Sequence, residues 1–303
     1  MLPQSATRHL GFFVDLNEKT IAVTGKHRVK IVKFFDKFLL ILREKGRLLV
    51  RALQKMLGLQ IWISTVFRIA RQFLSSICDL LRTAGSRPYI YPRQHKSLIA
   101  RVIFDLKFWR RFVLSKPKAP FETLLGQLPV NTNELSSDAA TSWGMAGVLV
   151  FSNESPRKDR IQGLFWQIPW VEWYKVIPMP SLTVGSVKIN VAEFLALLIT
   201  CETFTSFCKG KYTTIVTDNI SAKSWVNKAR CPHFPFDRCA QGLHLHMLKH
   251  SMKLRASWIP SGDNTLADLC SRKKFSMNAA GHSIGGRQIR KVKPRWTNVT
   301  KYL

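Results

Sequence analysis

The apolar positions of this 303-residue chain change their period part-way along. In the first third, Val29, Val32, Phe35, Leu39 and Leu42 recur at helical spacing with basic residues on the other face, which predicts a helix over 29–43. A strand-like opening over 9–15 precedes it. Residues 51–82 predict two further helices broken near Gly58, and 107–113 form an aromatic and basic cluster. Pro117, Pro120, Gly126 and Pro129 mark 116–130 as a linker.

From Glu134 the texture becomes that of short strands. β-prone runs cover 135–139, 145–151 and 162–168, the first two separated by the turn-like Thr141-Ser142-Trp143-Gly144. A helix over 191–207 follows, then a strand over 212–217, helices over 221–228 and 237–252, a strand over 254–259 and a last helix over 265–271. This order predicts an α/β fold: a mixed five-stranded sheet with flanking helices, preceded by a mostly helical region. The expected domains are 1–115, a linker over 116–130, 131–275, and a basic tail over 276–303.

Composition adds the class of partner. A content of 46 % hydrophobic residues is enough for real cores, while 47 Lys+Arg against 18 Asp+Glu leave a formal charge of +29. So large an excess points to a polyanion, since each phosphate neutralised releases counterions. The charge is uneven: residues 1–120 hold 24 basic and 6 acidic side chains, and 131–275 hold 17 and 11. The first region therefore reads as a grip on nucleic acid. Its contacts are expected from Lys26, Lys30, Arg51, Lys55, Arg68 and Arg71, because helices with basic faces can follow a phosphate backbone without reading bases. The apolar windows around 34–42 and 57–69 are interrupted by Lys37, Arg43 and Arg68, so no membrane span of about 20 apolar residues is expected. Six cysteines without a CxxC pair, and no secretory signal, imply reduced thiols in an intracellular protein, nuclear or cytoplasmic.

Acidic residues are scarce enough for their placement to be informative. Asp138 ends the first strand in Ser-Ser-Asp-Ala-Ala, and Glu193 lies in the first turn of a helix. Asp218 closes the strand Thr-Ile-Val-Thr, and Asp268 lies in the last helix. Singly, each has a local reading: an N-cap for Asp218-Asn219, a turn residue for Asp138, a helix-dipole charge for Glu193. Together, four carboxylates converging on one sheet edge would repel by several kcal/mol without a cation. Two Mg²⁺ or Mn²⁺ ions, about 3.5–4 Å apart, would supply it and serve phosphodiester hydrolysis.

Ser-Ser-Asp-Ala-Ala with Trp143-Gly144-Met145-Ala146-Gly147 resembles the opening hairpin of ribonuclease H. The Glu193 helix, the strand ending Thr217-Asp218-Asn219, and Asn264-x-x-x-Asp268 match its next three motifs in order. The wording "INVAEFLALL", "TDNISAKSWVNK" and "WIPSGDNTLADLCSR" is similar to the ribonuclease H domain of tyrosine-recombinase retrotransposons of the DIRS/Ngaro type. The resemblance implies a ribonuclease H-like fold, with Asp138, Glu193, Asp218 and Asp268 as catalytic metal ligands and Asn219 and Asn264 beside the nucleic acid. It also implies metal-dependent cleavage of the RNA strand of RNA–DNA hybrids within a reverse transcriptase polyprotein. The alternative is a catalytically inactive, nucleic-acid-binding retroelement remnant. One departure stands out: the loop 259–264 lacks the histidine many ribonucleases H carry there, and its one ionisable residue, Asp263, reads as a helix N-cap.

His9-Leu10-Gly11-Phe12, Lys26, Lys30, "LQKMLGLQIW" and "FRIARQFL" resemble the thumb or connection segment that follows the palm in the same retroelements. No Asp-Asp pair exists for a palm, so DNA synthesis is not expected of this chain alone, and a palm would have to come from a palm-bearing reverse transcriptase partner. The tail, Gly281-His282-Ser283-Ile284 with Trp296 and Tyr302, resembles a truncated tyrosine recombinase end. Its box has Gly285 in place of an arginine, and Pro294 replaces a glycine, so no phosphotyrosyl chemistry is expected. Cys231, His233, Cys239, His244 and His246 match no common zinc spacing, and Trp166, Trp170, Trp173 and Tyr174 read as cover for the sheet.

Overall fold

A computed structural model describes residues 6–44, 46–121, 128–152, 161–176, 189–228, 231, 236–274, 276–278, 281–284 and 287–296. The chain forms two compact units, residues 1–127 and 128–303.

The first unit opens with β1 (Ala6–His9), β2 (Phe12–Asp15) and β3 (Thr20–Val23). The single strand expected over 9–15 is a hairpin instead, because Leu10 and Gly11 both take positive φ, 46° and 86°. Two such residues make the two-residue turn whose twist matches paired strands. Then come α1 (Gly25–Arg43), β4 (Leu48–Leu49), α2 (Val50–Val66), α3 (Ser75–Ala84), β5 (Tyr89–Ile90), α4 (Lys96–Leu114) and β6 (Lys118–Pro120). α1 turns Ile31, Phe35, Phe38, Leu39 and Leu42 inward, the stripe that its apolar spacing implies. α2 runs through Gly58 without the expected break; the glycine is exposed, costs about 1 kcal/mol there, and the chain bends only at Phe67. β6 pairs with β3 and buries Ala119 opposite Ile21, so the first residues of the expected linker belong to a sheet.

The second unit holds β7 (Glu134–Ala140), β8 (Gly144–Val150), β9 (Gly163–Pro169), α5 (Trp170–Val176), α6 (Ile189–Thr203), α7 (Thr205–Cys208), β10 (Tyr212–Thr217), α8 (Ile220–Lys228), α9 (Phe236–Lys249), β11 (Lys253–Trp258) and α10 (Thr265–Ser271). The tail adds β12 (Ser276–Asn278), β13 (Gly281–Ile284) and β14 (Arg287–Lys291). Strand order is β11-β10-β7-β8-β9-β14-β13-β12. β7, β8 and β9 are antiparallel, and β10 and β11 run parallel to β7. The mixed α/β plan is the one expected, and its five expected strands are all present. Among the described residues the sheet nevertheless has eight strands, because β14 pairs in parallel with β9 and carries β13 and β12 with it. Burial explains the extension: Ile284 and Ile289 complete a core with Ala146, Val148, Phe165, Ala267 and Cys270.

The two sheet faces are covered by different helices. Val148 and Val150 of β8 meet Ala267 and Cys270 of α10 on one face, whereas Gly147 faces Thr200 of α6 on the other. Trp166, Trp170 and Trp173 are buried, as cover for the sheet requires; the side chain of Tyr174 lies outside the described residues. No helix among the described residues is long and apolar enough to cross a membrane.

Candidate metal centre

Parallel pairing of β7 and β10 builds the centre. The register sets Leu135 beside Ile215 and Ser136 beside Val216. Two residues further on, the same face of each strand presents Asp138 and Asp218. Glu193 comes from the first turns of α6. Its Oε1 accepts the Ala139 backbone N–H at 3.1 Å and its Oε2 faces the Thr217 hydroxyl at 3.5 Å. One oxygen from each of Asp138, Glu193 and Asp218 lies within 4.8 Å of the others.

Two hydroxyls fix these carboxylates. Ser271, in the last turn of α10, donates to Asp138 Oδ2, and Ser261 donates to Asp218 Oδ2 at 2.5 Å. The indole N–H of Trp258 holds the Asp218 carbonyl at 2.9 Å. Ser261 stands in the loop that lacks the expected histidine. Sequence reasoning missed all three. For Ser271 a signal existed: it follows Asp268 by three residues on a helix, a spacing that shares one face.

The electrostatics are those of a site short of positive charge. Burial, and then the Asp218 and Asp268 charges, push Asp138 above the ordinary carboxylate value, against the Ser271 bond. Burial pushes Glu193 well above it, helped by Asp138. Hard carboxylate oxygens, converging and buried, are the donor set that Mg²⁺ or Mn²⁺ takes. The trio therefore fits a divalent cation.

Asp268 is near but not within the trio. Its charge reaches Asp138, yet its Oδ1 accepts from Arg272 Nε at 2.6 Å. Asn219 caps α8: its Oδ1 accepts the Ala222 N–H at 2.9 Å, and its amide donates to Asn190 at 2.8 Å. Asn264, not Asp263, is the N-cap residue of α10. It is 2 % exposed and donates to the Ser137 carbonyl at 3.0 Å, so it locks α10 to β7 one residue before Asp138. Both asparagines expected beside nucleic acid thus serve the frame of the site.

Lys26, Lys30, Arg51, Lys55 and Arg71 are exposed on the first unit; the side chain of Arg68 lies outside the described residues. Among the described residues, the carboxylate trio is the one group of His, Cys, Asp or Glu placed to hold a metal, so Cys231, Cys239, His244 and His246 form no such site. His233 lies outside the described residues, as does Tyr302; Trp296 packs 5.6 Å from Trp173.

No family model matches the chain, and no curated protein does. Among solved structures, it is similar to the RNase H1 of the halophilic archaeon Halobacterium salinarum NRC-1. The likeness is 14 % identity over 46 % of this chain and 95 % of that one, with a TM-score of 0.33.

Proposed function

We propose that the second unit is a metal-dependent endonuclease that cuts the RNA strand of RNA–DNA hybrids, as part of a retroelement reverse transcriptase polyprotein. The observation that carries the reading is the convergence of Asp138, Glu193 and Asp218 within 4.8 Å beside the paired parallel strands β7 and β10. Two divalent ions held by these residues, with Asp268 as a fourth ligand, would offset charge on the phosphate and lower the pKa of an attacking water. The chain's own part is positional. Ser271 and Ser261 each hold one carboxylate oxygen by a hydrogen bond, and the Ala139 N–H orients Glu193. Discrimination of RNA from DNA would rest on 2′-hydroxyl contacts and duplex shape. The basic helices of the first unit would hold the duplex backbone, in the manner of a reverse transcriptase thumb.

The test is a labelled hybrid incubated with Mg²⁺ and either wild type or Asp218→Asn. The variant is expected to lose at least about 100-fold in cleavage, since a ligand carboxylate stabilises charge at the reacting phosphate. It should keep hybrid affinity within about twofold, since phosphate contacts elsewhere supply most of the binding. Equal cleavage by both proteins sinks the assignment. Salt-sensitive binding without cleavage by wild type favours the inactive remnant.

A further inference from the structure

Three of the four carboxylates converge and the fourth is held aside by a cation of the chain's own. Asp268 and Arg272 are four residues apart across the end of α10, with Nε 2.6 Å from Oδ1. Between them Ser271 points at Asp138, so one helical turn engages two different carboxylates. The bond to Asp268, and to a smaller extent the charges of Asp138 and Asp218, favour the charged form of the Arg272 guanidinium further.

Two features make this pair exchangeable. The partners are 45 % and 36 % exposed, and solvent-screened pairs of that kind contribute little. A guanidinium also binds phosphate through paired N–H groups, as it binds a carboxylate.

We propose that Arg272 is a built-in counter-cation that keeps Asp268 out of the metal centre until a substrate phosphate takes the guanidinium. The proposal rests on the nuclease reading and says how that site is regulated. Arg272 is a positioning residue. In the free protein it offsets the carboxylates and competes with divalent ions. When a phosphodiester engages it, Asp268 is released to complete the centre, so metal uptake and substrate binding reinforce each other.

The experiment is calorimetric titration of Mn²⁺ into the full chain without nucleic acid, for wild type, Arg272→Gln and Arg272→Lys. Arg272→Gln should bind Mn²⁺ roughly three- to tenfold more tightly than wild type, because a competing charge is removed. Arg272→Lys should return the affinity to near the wild-type value. In cleavage assays, Arg272→Gln should need less Mn²⁺ for half-maximal rate while its KM for the hybrid rises. Equal Mn²⁺ affinity of wild type and Arg272→Gln overturns this inference alone, and so does a lysine variant that binds as tightly as the glutamine one. A wild-type chain that takes up no Mn²⁺ overturns the metal-centre reading and this inference with it.

Discussion

Glu193 is 4 % exposed, and the charges nearest to it, Asp138 and Asp218, have its own sign. Without a cation the folded chain keeps this group protonated more readily than the unfolded chain does. Its folded pKa stands above the ordinary 4.5, so its contribution to stability is complete below 4.5 and is lost as pH rises through the raised value. At neutral pH the metal-free site is therefore under electrostatic load. Glu193→Gln removes the load while keeping an oxygen for the Ala139 N–H. In EDTA at pH 7.5 the variant should melt about 2–4 °C above wild type, the size of a change near 1 kcal/mol. The gap should close as pH falls toward 4.5, and Mg²⁺ should raise the wild type alone. Scanning calorimetry across pH checks this, and a variant less stable than wild type in EDTA at pH 7.5 would refute it. The identities of the trio were legible from order and placement, since Asp138 lies near the end of its strand, Asp218 directly follows one, and Glu193 lies early in a helix. The attachments of Asp268, Asn219 and Asn264 were not, because they depend on which neighbour reaches each side chain first. Asn219 is consumed by an N-cap and Asn264 by the Ser137 carbonyl, both settled by packing rather than by local pattern.

At the scale of elements, α6 lies so close to the sheet that one glycine decides the spacing. A Cβ on Gly147 would stand 2.0 Å from Thr200 Oγ1 and 2.4 Å from Trp166 Nε1, both on buried side chains. Thr200 stands on α6, whose first turns carry Glu193, and Trp166 stands on β9, so relief of the clash moves the helix or the strand. Gly147→Ala should therefore cost about 1–3 kcal/mol, as overpacking of a close-packed core does, and lower cleavage as well. Gly58 makes the contrast, since nothing lies within 4 Å of its added Cβ and it is exposed in the interior of α2. Gly58→Ala should stabilise the first unit by about 1 kcal/mol. Urea denaturation of the two variants tests both signs, and a neutral Gly147→Ala would show that α6 has slack. These glycines also mark where pattern reading succeeds and fails. The strand over 212–217 and the helix over 265–271 were legible to the residue, because apolar alternation and a turn-forming loop bound them. The α2 break at Gly58 was misplaced because neighbouring Leu53, Met56 and Ile63 pack as one stripe and override a single poor helix former.

On the scale of the whole molecule, charge is divided unevenly between the units. Residues 1–120 hold 24 basic and 6 acidic side chains, while the unit with the carboxylate centre keeps a milder balance. The tail shows what a charge profile hides: it reads as a basic extension, yet Ile284 and Ile289 sit in the core and extend the sheet by three strands. Ile284 and Ile289 stand five residues apart, a spacing that fits neither a strand nor a helix period, so the pattern announced no strands there. For the first unit the charge reading leads to a direct measurement. Lys26, Lys30, Arg51 and Lys55 are exposed, and among the described residues none forms an ion pair. If they lie along a duplex backbone, replacing all four with Gln removes up to four phosphate contacts. The slope of log affinity against log salt should then become shallower by up to about 3–4, close to 0.9 for each lost contact. Affinity should fall most at low salt and converge with wild type at high salt, where counterion release contributes little. The cleavage rate at saturating hybrid should stay within about twofold, because that rate depends on transition-state contacts at the carboxylates and not on uniform binding. Fluorescence anisotropy with a labelled hybrid over a range of salt supplies the slope, and single-turnover cleavage supplies the rate. An unchanged slope would remove these helices from the duplex path. A changed slope with a collapsed rate would mean that they orient the scissile strand as well as grip it.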